Sequence, residues 1–264
     1  MSTDFAVRRG QNWKLTLAYD GADFHGWQVQ PDRITIQGEL ADALSRVTGE
    51  RVLPQGSGRT DAGVHAEGQV ASVFLEAPIP GENLHRALNR TLPESIRVLS
   101  VESAAPDFHA RHSALAKTYE YRIFRGEICP PWIARYAWAL NWPLDPVRMQ
   151  AAAQLVAGTH DFTSFAATDP DLAARSADGN PDLRGNVRTL FASQWREAPD
   201  RLIYRVRGNG FLHHMVRNLV GTFIDVGRGH LEPESIPQIL AARSRSASGP
   251  TAPPRGLFLM SVEY

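Results

Sequence analysis

A chain of 264 residues is long enough for one large domain or two smaller ones, each with a core of its own. Its 43% hydrophobic and 21% charged residues are ordinary globular values and exclude a disordered chain. The formal net charge of zero gives no support to a nucleic-acid partner while leaving local arginine patches open, and the lone Cys129 excludes an internal disulfide framework and a Cys-based zinc site.

Residues 1–12 read as a polar tail with Arg8 and Arg9 adjacent. Trp13, Leu15, Leu17 and Tyr19 then alternate with Lys14, Thr16 and Ala18, which predicts a half-buried strand ended by Asp20-Gly21. An aromatic-rich loop from Asp23 to Gln28 leads to Ile36, Leu40, Ala43, Leu44 and Val47 at helical spacing, with Gly49 as the stop. After a glycine-rich stretch, Gln69 to Leu75 reads as a strand. Leu84, Ala87, Leu88 and Leu92 mark a second helix stopped by Pro93. Ile96–Val101 and Lys117–Arg125 read as two more strands, the latter carrying Tyr119, Tyr121 and Ile123 on one face. Strands interleaved with two helices make an α+β pattern.

Cys129-Pro130-Pro131 and Trp142-Pro143 bracket the expected boundary between an N-terminal half, 13–130, and a C-terminal half, 131–264. Asp145 as N-cap with Pro146 at the first helical position opens a helix expected to run to Gly158. Thr168 to Gly185, rich in Asp, Pro, Gly and Ala, reads as an exposed insertion. Leu190–Trp195 and Leu202–Arg207 predict a hairpin, and Phe211–Val226 a strongly amphipathic helix. Ser235–Arg243 reads as a shorter helix, and Leu257–Tyr264 as a closing strand. The second half thus repeats the helix-and-strand mixture of the first. No signal-peptide pattern opens the sequence, and no apolar run approaches the roughly 20 residues of a membrane span, so a soluble, cytoplasmic protein is expected.

The glycine-rich stretch, Gln55 to Gly68, contains Gly56, Gly58, Gly63 and Gly68, with Arg59, Thr60 and Asp61 between the second and third. A carboxylate flanked by small residues can approach a ligand closely, and a neighbouring guanidinium favours the ionised form that a carboxylate nucleophile requires. A turn-forming Asp beside a solvated Arg accounts for the local sequence somewhat better, because Asp and Gly populate turns everywhere. The stretch lacks the Gly-Lys-Ser/Thr ending of a phosphate-binding loop and the dinucleotide spacing. His65, His213 and His214 lack metal-ligand spacing and acidic companions, which favours structural or RNA-contacting roles. On the predicted 211–226 helix, His213, Arg217, Gly221 and Asp225 form one polar line. Arg217 lies amid apolar neighbours and needs an anionic partner, either Asp61 or Asp225, unless it is solvated. Tyr119 and Tyr121 are core aromatics of a strand or, beside a cleft, stacking surfaces for a base.

Gly58-Arg59-Thr60-Asp61-Ala62-Gly63-Val64-His65 closely resembles the catalytic motif of the tRNA pseudouridine synthase A family. Tyr19-Asp20-Gly21 with Gly26-Trp27-Gln28, Arg111-His112-Ser113-Ala114 with Lys117-Thr118-Tyr119, and Gly158-Thr159-His160-Asp161-Phe162 agree with it, in the family's order. So do Phe211-Leu212-His213-His214-Met215-Val216-Arg217-Asn218 and Gly256-Leu257-Phe258-Leu259, so that the resemblance spans nearly the whole chain.

The resemblance implies an α+β fold of two similar mixed halves, with largely antiparallel sheets joined around a central catalytic cleft. It implies conversion of uridine to pseudouridine at positions 38 to 40 of the tRNA anticodon stem-loop, by a homodimer with tRNA lying across both subunits and with no metal or organic cofactor. By the same resemblance Asp61 is the attacking aspartate and Arg59 helps to displace the base. Tyr119 packs on the uracil, Arg217 pairs with the aspartate, and Leu257 lines the pocket. The segment 168–185 is longer and more acidic than usual between these motifs. With neutral overall charge, tRNA affinity rests on local arginines, for which Arg8, Arg9, Arg111, Arg205 and Arg207 are candidates, although any one of them alone reads better as a solvated surface charge. Two other functions fit Asp61. One is a nucleoside or glycoside hydrolase, although Glu67 is the only nearby second carboxylate. The other is a non-catalytic RNA-binding module in which Asp61 is a turn residue.

Overall fold

The computed structural model describes residues 10–168 and 185–264. Arg8, Arg9 and residues 169–184 of the expected insertion lie outside the described residues. The chain divides into two compact units, Met1–Ser113 and Ala114–Tyr264.

In the first unit, β1 (Gln11–Tyr19) alternates as its sequence predicts, with Trp13, Leu15, Leu17 and Tyr19 all buried. Helix α1 (Ile36–Thr48) starts where the Thr35 hydroxyl accepts from the Gly38 amide at 3.2 Å and stops at Gly49, whose φ is 78°. The short β2 (Gln55–Gly56) pairs with β3 (His65–Leu75). β3 begins at His65 rather than the expected Gln69, because Ala66 still finds a ladder partner in Tyr19. Helix α2 (Gly81–Thr91) and β4 (Ile96–Ala104) complete the unit. β1 is the middle strand, antiparallel to β3 and β4, and α2 packs on β4 and α1. Leu40, Leu44, Leu84 and Leu88 are fully buried between helices and sheet, each worth about 1.5–3 kcal/mol of transfer free energy.

The second unit contains β5 (Ala116–Phe124), α3 (Pro131–Ala134), β6 (Trp138–Ala139), α4 (Pro146–Leu155), β7 (Gly158–Asp161), β8 (Val187–Ala198), β9 (Arg201–Gly208), α5 (Met215–Gly227), α6 (Ile236–Ala242) and β10 (Leu257–Glu263). β10, β5, β9, β8 and β7 lie side by side, antiparallel throughout, and β6 adds in parallel at the end of β5. β8 and β9 form the predicted hairpin around Pro199-Asp200. Tyr121, Tyr204 and Phe223 are fully buried, with the Tyr204 ring 5.3 Å from Phe223 and 5.1 Å from Trp195. Each unit therefore mixes helices with a largely antiparallel sheet.

Three helix boundaries differ from expectation. α4 has the Asp145 cap, accepting from the Val147 and Arg148 amides, but ends at Leu155, since Gly158 takes φ 102° and opens β7. The last helix is a 3₁₀ turn over Pro233–Ser235 followed by α6, which ends at Ala242, where Arg243 turns left-handed. The helix expected from Phe211 begins only at Met215, because His214 is left-handed at φ 59° and breaks the hydrogen-bond ladder. Phe211 and Leu212 keep the apolar periodicity for another reason: Phe211 meets Tyr119 edge-on at 5.0 Å, and Leu212 is buried. The polar line on the helix therefore starts at Arg217 and leaves His213 out. Among the described residues no helix is long and apolar enough to cross a membrane.

Candidate active site

Asp61 and Arg59 lie half-buried in the loop between β2 and β3. The surrounding backbone is clamped at several points. The Ser57 amide donates to the Val70 carbonyl at 2.7 Å, the Thr60 carbonyl accepts from the Trp27 amide at 3.0 Å, and the Asp61 carbonyl accepts from the Val64 amide at 3.1 Å. The Gly63 amide donates to the Phe24 carbonyl at 3.3 Å. The sequence segment 19–28 is thus the floor of the Asp61 loop. Its glycines are needed there: Gly26 has φ 86° and a Cβ on it would stand 2.6 Å from the Thr60 carbonyl oxygen, while a Cβ on Gly21 would overlap the Val64 carbonyl. Trp27, 2% exposed, seals the underside.

Side chains tie the same loop down. The Tyr19 hydroxyl lies 2.8 Å from Thr60 Oγ1, and burial pushes its pKa up to about 12, so the phenol keeps its proton. Ser57 Oγ donates to Gln69 Oε1 at 2.7 Å, and Gln69 Nε2 donates to the Gly58 carbonyl at 2.9 Å. His65 is buried, its Nδ1 standing 3.1 Å from both the Gly21 amide and Asp20 Oδ1. With the ring proton on Nε2 it accepts from Gly21, and with the proton on Nδ1 it donates to Asp20. Sequence reasoning gave Ser57, Thr60 and Gln69 no role; the available signal is Gln69, a polar residue where a core strand calls for an apolar one.

In the second unit, Tyr119 and Leu257 occupy one face of the sheet. Tyr119 stands opposite Leu259 and Leu257 opposite Tyr121, so Leu257 is the diagonal neighbour of Tyr119; both are buried. Arg217 sits in the first turn of α5, where its Nε donates to the Ala252 carbonyl at 2.8 Å and its own carbonyl accepts from the Ala252 amide at 3.1 Å. Burial pushes the Tyr121 hydroxyl up in pKa, and the charges of Arg217 and Arg255 pull it back. Tyr121 in turn donates to the Pro253 carbonyl at 2.7 Å. The strap 245–252 is bolted to α5 through Arg245, which donates to Asn218 Oδ1 at 3.1 Å, to Thr251 Oγ1 at 3.0 Å and to the Gly249 carbonyl at 2.9 Å. Gly221 lets the strap approach, since a Cβ there would overlap the Pro250 carbonyl. The tie between Asn218 and Arg245 was not read from the sequence, where Asn218 stood only as part of a family motif and Arg245 in a Ser/Pro-rich linker. The unit thus offers an aromatic and aliphatic surface beside a guanidinium whose position is fixed.

Two of the candidate RNA-contacting arginines are engaged in ion pairs. Arg205 donates to Glu120 Oε1 at 3.0 Å, and Arg207 holds Glu263 with two nitrogens while lying 4.9 Å from the Phe191 ring. Arg111 is half-buried beside the first unit's His109, whose Nδ1 accepts from the Arg111 amide at 3.1 Å.

A family model described as tRNA pseudouridine synthase matches residues 16–113 and 152–264. The tRNA pseudouridine synthase A of Solibacter usitatus (strain Ellin6076) is 52% identical over 252 residues, which are 95% of this chain and 98% of that protein. The proteins of the same name from Moorella thermoacetica and Brevibacillus brevis are 47% and 42% identical, again over 95% of this chain and 98% of their own length.

Proposed function

The chain belongs to the tRNA pseudouridine synthase family, and we propose that it isomerises uridine at positions 38 to 40 of the tRNA anticodon stem-loop with Asp61 as nucleophile. The observation that carries the assignment of Asp61 is the clamped backbone on both sides of it, which sets where this half-buried carboxylate stands. Pseudouridine formation breaks the bond from uracil N1 to the sugar C1′ and joins the same C1′ to C5. The C5 proton leaves and N1 regains one, so nothing is oxidised or reduced and the chemistry demands no cofactor or metal. The target nucleotide is first unstacked and flipped, at a cost of a few kcal/mol. Tyr119 offers its ring to the uracil, Arg59 takes the vacated place in the stem, Leu257 lines the base pocket, and Arg217 supplies the positive charge for the aspartate. These assignments, the cleft in which the five residues meet, the homodimer and a cytoplasmic location rest on the matching motifs of the family.

The test is tritium release from unmodified tRNA carrying 5-tritiated uridine. The native protein releases tritium without freeing uracil, whereas a hydrolase would free it. Asp61→Ala and Asp61→Asn lower the rate by at least about 10³-fold, since no other group replaces a lost nucleophile. Retained turnover in either variant removes Asp61 from that role. A chelator leaves the native rate unchanged.

A further inference from the structure

We propose that Gln69 is a positioning residue for the Asp61 loop, with Tyr19 as its second anchor. The inference rests on the reading of Asp61 as nucleophile and adds the device that aims it.

Gln69 is fully buried in β3, among Val70, Ala71 and Val73. A buried side-chain amide is costly unless its two donors and two lone pairs all find partners. Here they do: Oε1 accepts from Ser57 Oγ at 2.7 Å and from the Val70 amide at 3.1 Å, while Nε2 donates to the Gly58 carbonyl at 2.9 Å and, more weakly, to the Tyr19 hydroxyl at 3.4 Å. If packing alone mattered at this position, a leucine would fill it without that demand. The amide instead spans from the strand to two residues of the loop and to β1.

The direction of the bonds continues the argument. Nε2 can only donate, so Tyr19 accepts from it and its own proton goes to Thr60 Oγ1, 2.8 Å away. Ser57, Gly58 and Thr60 are thereby fixed by one connected buried network, and Arg59 and Asp61 flank Thr60 with their α-carbons set by it. Partly dismantled, such a network loses more than one bond's worth of order.

Single-turnover tritium release and tRNA binding, measured on the native protein, Gln69→Leu, Tyr19→Phe and Asp61→Asn, test this. Gln69→Leu is expected to slow the chemical step about 10²-fold and Tyr19→Phe about 3- to 10-fold, with tRNA affinity within about twofold of native, as displacement of a reacting group by about 1 Å would produce. A purely structural role would lower the melting temperature while leaving the rate per folded molecule and the split between binding and chemistry untouched. Native rates in folded Gln69→Leu and Tyr19→Phe overturn the proposal. If Gln69→Leu does not fold, Tyr19→Phe, which lacks a single oxygen, decides alone, and a native rate in it is sufficient to overturn. Failure of the functional reading looks different: no release by the native protein, or turnover by Asp61→Asn.

Discussion

In the first unit Asp61 is located through the backbone around it, whereas in the second unit Arg217 is located through its own side chain, at Nε. The difference follows from the donor inventory of the two groups. A guanidinium has five N–H donors and can give one to the Ala252 carbonyl while its remaining fork still faces a partner. Every hydrogen bond donated to a carboxylate, by contrast, stabilises the charge that a nucleophile must share with its target. In the Asp61 loop, hydrogen bonds at Ser57, Gly58 and Thr60 fix the backbone that carries the carboxylate.

The sharpest way to break this comparison is Arg217→Lys. Lysine keeps the charge but has one nitrogen, which cannot hold Ala252 and face a second partner in the same geometry. A fall of about 10²-fold in the single-turnover rate is expected, with melting temperature little changed; a native rate would mean that charge alone suffices. Next come two backbone variants that attack one unit each. Gly26→Ala meets both a left-handed φ and the Thr60 carbonyl, and denaturant unfolding should show a loss of about 1–3 kcal/mol together with slowed turnover. Arg245→Ala leaves Asn218 Oδ1 one partner short beneath the strap and should cost about 1–3 kcal/mol with a smaller effect on rate. Asp145→Ala removes only the α4 cap, so about 1 kcal/mol and no change in turnover are expected.

A further effect lies in alkaline solution. Tyr19 has a folded pKa of about 12 against 10 for the unfolded chain, so the folded state binds the extra proton between those values. By linkage its contribution is fully present below pH 10 and is lost as pH rises from 10 towards 12. Tyr121 and Tyr204 are raised in the same direction in the second unit. Tyr19→Phe should therefore flatten part of the loss of stability measured between pH 10 and 12.

The strands and helices carried by regular periodicity were legible in the sequence. β1 follows its alternation, α1 its helical spacing and its Gly49 stop, and the β8–β9 hairpin its two apolar runs. What periodicity misjudged were places where a residue is apolar for a contact outside its own element, as with Phe211 against Tyr119, or where a single left-handed residue such as His214 overrides a favourable pattern. The Asp61 loop was recognisable by its motif, but its supports were not. Gln69 reaches the loop only after β3 has folded back beside β2, and Asn218 meets Arg245 only once the strap crosses α5. Such partners are set by topology, which no local window contains.

The tether between Tyr121 and Pro253 joins residues 132 positions apart, and the neighbouring β5–β10 ladder is equally non-local. During synthesis β5 must therefore wait, with a bare edge, until more than a hundred further residues have appeared. An unpaired edge bearing Tyr119, Tyr121 and Ile123 is a template for association with other chains. The pairing that completes the second unit's sheet thus leaves the half-made chain with the exposed edge.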